Sequence, residues 1–357
     1  MSEPIPLVRK ELKDGWRDTQ SANPSLLMQK GFIEIENPKA LKSSGEEAKK
    51  FAHLNKMAKL PAPSIYQRAF NRWFNLTSDS DHFGQRVMKL ENRLLIGLSG
   101  SGALETGCSL SYGYGMPYIP GSSVKGVVRA WVEQNFKDNH PDELAELFGT
   151  RDSDDIDCVS GLVTFHDAWW IPHAKGNTKP KPFVLDVVTT HHQAYYNDKQ
   201  AEPSDKDSPI PNHLLAVQGS FLFVIEGAPE HVELCQKMLT QALQDNGIGA
   251  KTAAGYGYFR GDDQEALDLL SCLQKLSRER RMSDEEKREY DVEHLTEKQL
   301  TTMFSKDLNK TKKRDDIQWL IAMVVKHHGE IIDSWKSETK KSSVNRWKAY
   351  NFLVEEQ

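Results

Sequence analysis

The chain has 357 residues, 27% of them charged and 38% apolar, with a formal net charge of -5. That length buries a real core and fits one or two domains plus extensions. The negative balance excludes a protein coated in positive charge but leaves room for a local basic groove that contacts a nucleic-acid backbone.

No apolar run approaches the ~20 residues that cross a bilayer, so no membrane partner is expected. Residues 1–13 lack the apolar segment of a secretory signal. Cys108, Cys158, Cys235 and Cys272 are scattered without a C-x-x-C pair, which argues against a zinc site and suits a reducing cytoplasm. No metal and no cofactor is expected.

Residues 1–90 read as a helical N-terminal extension. Residues 45–60 are lysine-rich, and residues 64–74 carry aromatics with Arg68 and Arg72. Residues 91–262 carry the clearest order. Residues 93–98 (Arg-Leu-Leu-Ile-Gly-Leu) predict a buried strand that stops at the Gly/Ser run 99–102. Gly121-Ser122-Ser123 then opens a helix with Val124, Val127, Val128 and Trp131 at helical spacing. Residues 161–170 predict a second strand and residues 220–226 a third. Between them lies an insertion, residues 171–219, with an apolar patch at residues 183–185. A second helix starts near Pro229 and puts Cys235, Met238, Leu239 and Ala242 on one face. A glycine loop follows, and a fourth strand runs through Tyr256, Tyr258 and Phe259. Residues 263–357 predict a helical C-terminal region, with mixed charge over 277–289 and an apolar helix over 317–325. Its Trp335, Trp347, Tyr350 and Phe352 suggest a tail that docks. The central order, strand–helix–strand–strand–helix–strand, predicts an α+β fold with a ferredoxin-like (RRM-like) core.

Three constellations carry possible chemistry. Residues 247–259 hold four glycines, one lysine and three aromatics. Such spacing permits positive φ and close approach of a ligand, so Gly247, Gly249, Lys251, Thr252, Gly255, Tyr256 and Gly257 read either as a phosphate-binding loop or as a plain helix-to-strand turn. A P-loop is excluded by order, because a P-loop runs from strand to helix. Ser122, Ser123, Lys125 and Arg129 sit at the start of a helix, with the two cations four apart on one face. They read either as holders of RNA phosphates or as an ordinary capped helix with exposed cations. His191, His192, Tyr195 and Tyr196 follow Asp186; they suit base stacking, a structural role or acid–base work on a ribose hydroxyl.

Several segments together resemble the RAMP superfamily of CRISPR proteins, and within it the sixth-subunit family of type III-B (Cmr) RNA-targeting complexes. They are residues 104–107 (Leu-Glu-Thr-Gly), 117–126 (Pro-Tyr-Ile-Pro-Gly-Ser-Ser-Val-Lys-Gly), Asp186 with His191-His192 and Tyr195-Tyr196, and 247–252 with 255–257; residues 23–27 and 69–73 are similar too. The resemblance covers roughly residues 20–262. It implies a non-catalytic subunit that binds guide RNA near its 3′ end and caps a backbone of other RAMP subunits, the guide pairing with target RNA. Two alternatives remain: a metal-independent endoribonuclease that processes repeat RNA through His191, His192, Tyr195 and Tyr196, and a purely structural scaffold built on the aromatic tail.

Overall fold

The computed structural model of the chain describes residues 5–6, 22–32, 34–35, 45–99, 104, 106–136, 140–150, 160–173, 179–190, 193–196, 201–202, 204, 210–261, 263–304, 314–337, 339 and 343–355. The chain divides into two compact units, Met1–Leu273 and Gln274–Gln357.

The first unit is α+β with an antiparallel sheet. In chain order it has β1 (Ile5–Pro6), α1 (Pro24–Lys30), β2 (Glu34–Ile35), α2 (Gly45–Ala58), α3 (Ser64–Leu76), β3 (Phe83–Lys89), β4 (Tyr118–Ile119), α4 (Gly121–Phe136), α5 (Pro141–Phe148), β5 (Thr164–Phe165), β6 (Ala168–Trp170), β7 (Phe183–Thr190), α6 (Gln193–Tyr196), β8 (Ile210–Val217), β9 (Ser220–Glu226) and α7 (Pro229–Asp245), and it takes in the first half of α8 (Gln264–Arg281). The main sheet runs β3-β9-β6-β4, with β5 also on β9.

Strand β9 lies at the centre and is buried on both faces. Successive strand residues point to opposite faces. Phe221, Phe223 and Ile225 therefore join the core built by Val124, Val128 and Val132 of α4 and Cys235 and Leu239 of α7. Leu222 and Val224 face the other way, onto Phe70 and Phe74 of α3 and Ala266 and Leu273 of α8. A continuous apolar run is what two-sided burial requires. Cys235 is fully buried, and burial pushes its thiol up to about 12.

The first sheet strand lies earlier than the sequence predicts. Residues 93–98 form no strand; Leu94 makes a single bridge to Val217, although Leu94, Leu95 and Ile96 are all buried. The strand is β3 instead, paired with β9 from Phe83↔Glu226 to Lys89↔Ser220. The predicted fourth strand is reduced to one bridge, Leu90↔Phe259, on the outer edge of β3. Two flanking bonds hold it, Glu91 N–H to Tyr258 O (2.9 Å) and Arg260 N–H to Lys89 O (2.9 Å).

The predicted second strand, residues 161–170, is broken in two. Phe165 pairs with Ile225 and Trp169 with Leu222. Three residues separate the first members of these pairs and two separate the second, so the strand carries one extra residue. That is a β-bulge at His166-Asp167, and it re-aims both side chains.

The insertion folds as a hairpin, β7 on β8, in register from Phe183↔Val217 to Thr190↔Ile210. Helix α2 packs on it: Lys50 Nζ donates to Asn212 Oδ1 (2.7 Å), and the Phe51 and His213 rings meet edge-on at 4.9 Å.

The second unit is helical. It holds the end of α8 with α9 (Asp284–Glu293), α10 (Glu297–Phe304), α11 (Arg314–Ser334) and α12 (Val344–Glu355). Ser283 and Glu286 form a reciprocal capping box at the start of α9. The core gathers Val292, Leu300, Phe304, Ile317, Leu320, Ile321, Val324, Trp335 and Leu353. Of the tail aromatics, Trp335 lies in this core and Tyr350 and Phe352 pack against it. Trp335 is 1% exposed and its ring N–H donates to Glu297 (3.1 Å).

Phe259 is buried edge-on against Phe221 (6.0 Å) and Phe223 (5.4 Å). Phe259→Ala is expected to destabilise the first unit by about 3–5 kcal/mol, read as a lower denaturant midpoint. A loss below ~1 kcal/mol would mean that the segment after the glycine loop is not part of the sheet core.

Candidate nucleic-acid interface

The glycine loop is held close to the chain at residues 93–95. Helix α7 ends as the Asn246 amide donates to Ala242 O (3.0 Å). Ala250 N–H then donates to Leu95 O (2.7 Å), and Gly257 N–H to Arg93 O (2.7 Å). This approach needs glycine at two points. At Gly249 (φ +96°) a Cβ would stand 2.4 Å from Leu95 O, and at Gly257 (φ +78°) 1.9 Å from Ile248 O. Residues 93–95 are thus clasped between the loop and β8, which explains why their apolar run is not a sheet strand.

At the tip, Lys251 has φ 60°, the one non-glycine residue with positive φ among the described residues. Such a conformation costs a residue with a Cβ roughly 1–2 kcal/mol. Lys251 is exposed, and no carboxylate pairs with it among the described residues. A short 3-10 turn, Thr252–Ala254, follows, and Gly255 N–H closes it onto Thr252 O (2.8 Å).

An ion pair braces the loop. Arg93 Nη1 lies 2.8 Å from Asp186 Oδ2, and Tyr256 O–H donates to the same oxygen (3.0 Å). The Val187 amide donates to Asp186 Oδ1 (2.8 Å). Burial raises the Asp186 carboxyl, but the hydrogen bonds from Arg93, Val187 and Tyr256, with the charge of Arg93, outweigh it and hold the group below its ordinary value. Burial and the adjacent carboxylate push the Tyr256 phenol up, against the charge of Arg93. Beneath this network Leu95, Leu214 and Ala216 form a small core with Val184, Val188, Ala250 and Tyr256. Loop, hairpin and residues 93–95 are one block.

The start of α4 is a separate place. The bulge turns Asp167 so that its Oδ1 accepts the Gly121 amide (2.8 Å). A carboxylate there offsets the positive end of the helix, so an incoming anion depends on the side chains of Ser122, Ser123 and Lys125. The two serines are exposed and Lys125 half-buried. Arg129 is engaged: its Nε donates to Glu133 (2.9 Å) and Nη1 to Gly149 O (3.1 Å). At the far end of α4, Trp131 Nε1 donates to Asp245 Oδ2 (2.8 Å), which ties the helix to the residues before the glycine loop. Lys125 stands about 9 Å of helix rise before Trp131.

His191 and His192 lie outside the described residues. Tyr195 and Tyr196 are exposed and meet edge-on at 5.6 Å. Sequence reasoning passed over Arg93, whose charge was hidden at the head of an apolar run, and the part Asp167 plays as a helix cap. No group of three or more His, Cys, Asp or Glu residues that could hold a metal occurs among the described residues, and no described helix is long and apolar enough to cross a membrane.

Because its folded pKa is depressed, the stabilisation from Asp186 is complete above the unfolded carboxyl's pKa of about 3.9 and is lost as pH falls through the lower folded value. Asp186→Asn is expected to flatten that acid limb in denaturation midpoints recorded against pH. An unchanged limb would remove the ion pair as the brace. Gly249→Ala is expected to destabilise the first unit by at least ~1 kcal/mol, because both positive φ and the Leu95 carbonyl oppose a methyl. A neutral result would mean that the loop is not clasped.

Comparison with known proteins agrees on one family. The RAMP superfamily profile matches residues 87–260. The CRISPR system Cmr subunit Cmr6 of Pyrococcus furiosus is 26% identical over 305 residues, covering 68% of this chain and 87% of that protein. The Saccharolobus solfataricus Cmr6 is 30% identical over 174 residues, 47% of this chain and 54% of that one. Among solved structures, a chain of the type III-B Cmr-beta complex bound to cognate target RNA aligns with TM-score 0.46 and 23% identity, covering 70% of this chain and 85% of that chain. Crystalline Pyrococcus furiosus Cmr6 aligns with TM-score 0.32 and 28% identity, covering 50% and 98%. Residues 87–260 thus match the RAMP superfamily, and the chain is similar to the Cmr6 subunits of both organisms.

Proposed function

We propose that the protein is a non-catalytic RNA-binding subunit of a type III-B CRISPR effector complex. It binds guide RNA near its 3′ end and caps the backbone of RAMP subunits, serving RNA-guided silencing of target RNA. The sheet order, with Phe259 outside β3, then β9, then β6, supports a ferredoxin-like core over roughly residues 83–262, which begins one strand earlier than the sequence suggests. The observation that carries the RNA reading is Lys251. An exposed cation is held in a strained left-handed conformation at the tip of a loop fastened at both ends to residues 93–95. Strain at a braced, exposed position is a mark of function, and a cation presented this way suits a phosphate.

Lys125 and Ser122 at the start of α4 supply a second backbone contact. Arg129, engaged by Glu133 and Gly149, belongs to the structure rather than to the RNA. Of the aromatics that motivated a scaffold reading, Trp335 is buried in the second unit's own core and Phe352 packs against it.

Lys125→Glu with Lys251→Glu is expected to lower RNA retention in the assembled complex. It should also make the salt dependence of log K shallower by about 1.4, or ~0.7 per lost contact to a single strand. Unchanged retention and slope would refute the site. Labelled repeat RNA incubated with the protein in EDTA is expected to stay intact; cleavage that His191→Ala/His192→Ala abolishes would establish the processing enzyme instead.

A further inference from the structure

Beside the bulge lies a cavity of about 270 Å³ whose lining includes Tyr66, Tyr112, Tyr114, Tyr118, Asp167 and Trp169. Its wall is rigid. Tyr66 and Trp169 are nearly parallel, at 12° and 5.7 Å between ring centres, and Tyr114 meets Tyr66 edge-on at 5.9 Å. Tyr66 is 2% exposed, and its O–H donates to Trp170 O (2.6 Å), so its ring cannot turn away. Tyr112 is 77% exposed and stands at the rim.

Three features select the occupant. Among the described residues no lysine or arginine lines the cavity, which disfavours a phosphate there. Aromatic walls suit a flat ring, and the volume falls just under the ~300 Å³ at which pockets begin to take drug-sized ligands. The Asp167 carboxylate, positioned by the Gly121 amide, offers an acceptor to an N–H edge. An aliphatic side chain or a phenylalanine from a protein partner would leave that acceptor unused.

The geometry points to a pocket for one unstacked nucleobase of the bound RNA, lying against Trp169 with the buried Tyr66 ring behind it, covered by Tyr112 and donating an N–H to Asp167. The inference rests on the RNA-binding reading above. Asp167 also caps α4, which puts the Ser122 and Lys125 end of that helix next to the cavity. Stacking on aromatic side chains is how single-stranded RNA is held without a groove to read.

The test uses the full chain and a single-stranded RNA carrying 4-thiouridine or 6-thioguanosine. Irradiation followed by mass spectrometry is expected to place crosslinks in peptides containing residues 110–118 or 167–169. Tyr112→Ala/Tyr118→Ala should erase them and weaken binding about 5- to 100-fold while leaving the salt slope unchanged. Tyr112→Ala alone, at an exposed residue, keeps the fold and should give part of the loss. Crosslinks elsewhere with wild-type affinity in both tyrosine variants would overturn the pocket and leave the RNA reading standing. Absence of RNA binding in the wild type would overturn both. Retained RNA with loss of a co-purifying protein in the tyrosine variants would make the cavity a protein interface and overturn the proposal.

Discussion

The first unit depends on burying β9 on both faces. Phe221, Phe223 and Ile225 close the core under α4 and α7, while Leu222 and Val224 close the core under α3 and the start of α8. A strand with no solvent face has no tolerance for a register slip, because a shift of one residue exchanges its two apolar sets between differently shaped cores. That fixed strand sets β3 on one side and the bulged β5–β6 on the other, and through them every group that faces solvent near the two candidate sites.

The sites themselves lie where this regularity is broken. The extra residue at His166-Asp167 takes a carboxylate out of the sheet pattern and delivers it to the first amide of α4. His166 goes to Glu226 (2.8 Å) from the same bulge. At the other place, glycines let a loop come within one hydrogen bond of residues 93–95, and the loop satisfies backbone groups that a neighbouring strand would otherwise have taken. In both, an irregular backbone is stabilised by a specific polar partner, and a lysine stands nearby, exposed at Lys251 and half-buried at Lys125.

Local pattern made the helices legible. Helix α4 starts at Gly121 and α7 at Pro229, as punctuation and apolar spacing indicate, because caps, prolines and a 3.6-residue period act within one or two turns. Strands were harder. The run at residues 93–98 is as apolar as a central strand because the hairpin and the glycine loop bury it. The true first strand, β3, reads Phe-Gly-Gln-Arg-Val-Met-Lys and looks unremarkable, since its place is set by pairing with β9. Burial and strand pairing leave similar marks on a sequence, and only the partner distinguishes them.

The amino-acid sequence by itself determined the helices, the central apolar strand and the glycine loop's need for positive φ, because each is enforced by residues adjacent in the chain. Which groups meet was decided only by the tertiary structure. Arg93, Asp186 and Tyr256 come from three distant segments. Arg129, a candidate phosphate ligand from its place on the helix, meets Glu133 and Gly149 only in the folded chain. The aromatic cavity draws Tyr66 from α3, Tyr112 and Tyr114 from the residues before β4, and Trp169 from β6. Contacts of this kind depend on distance in space, which short-range pattern does not encode.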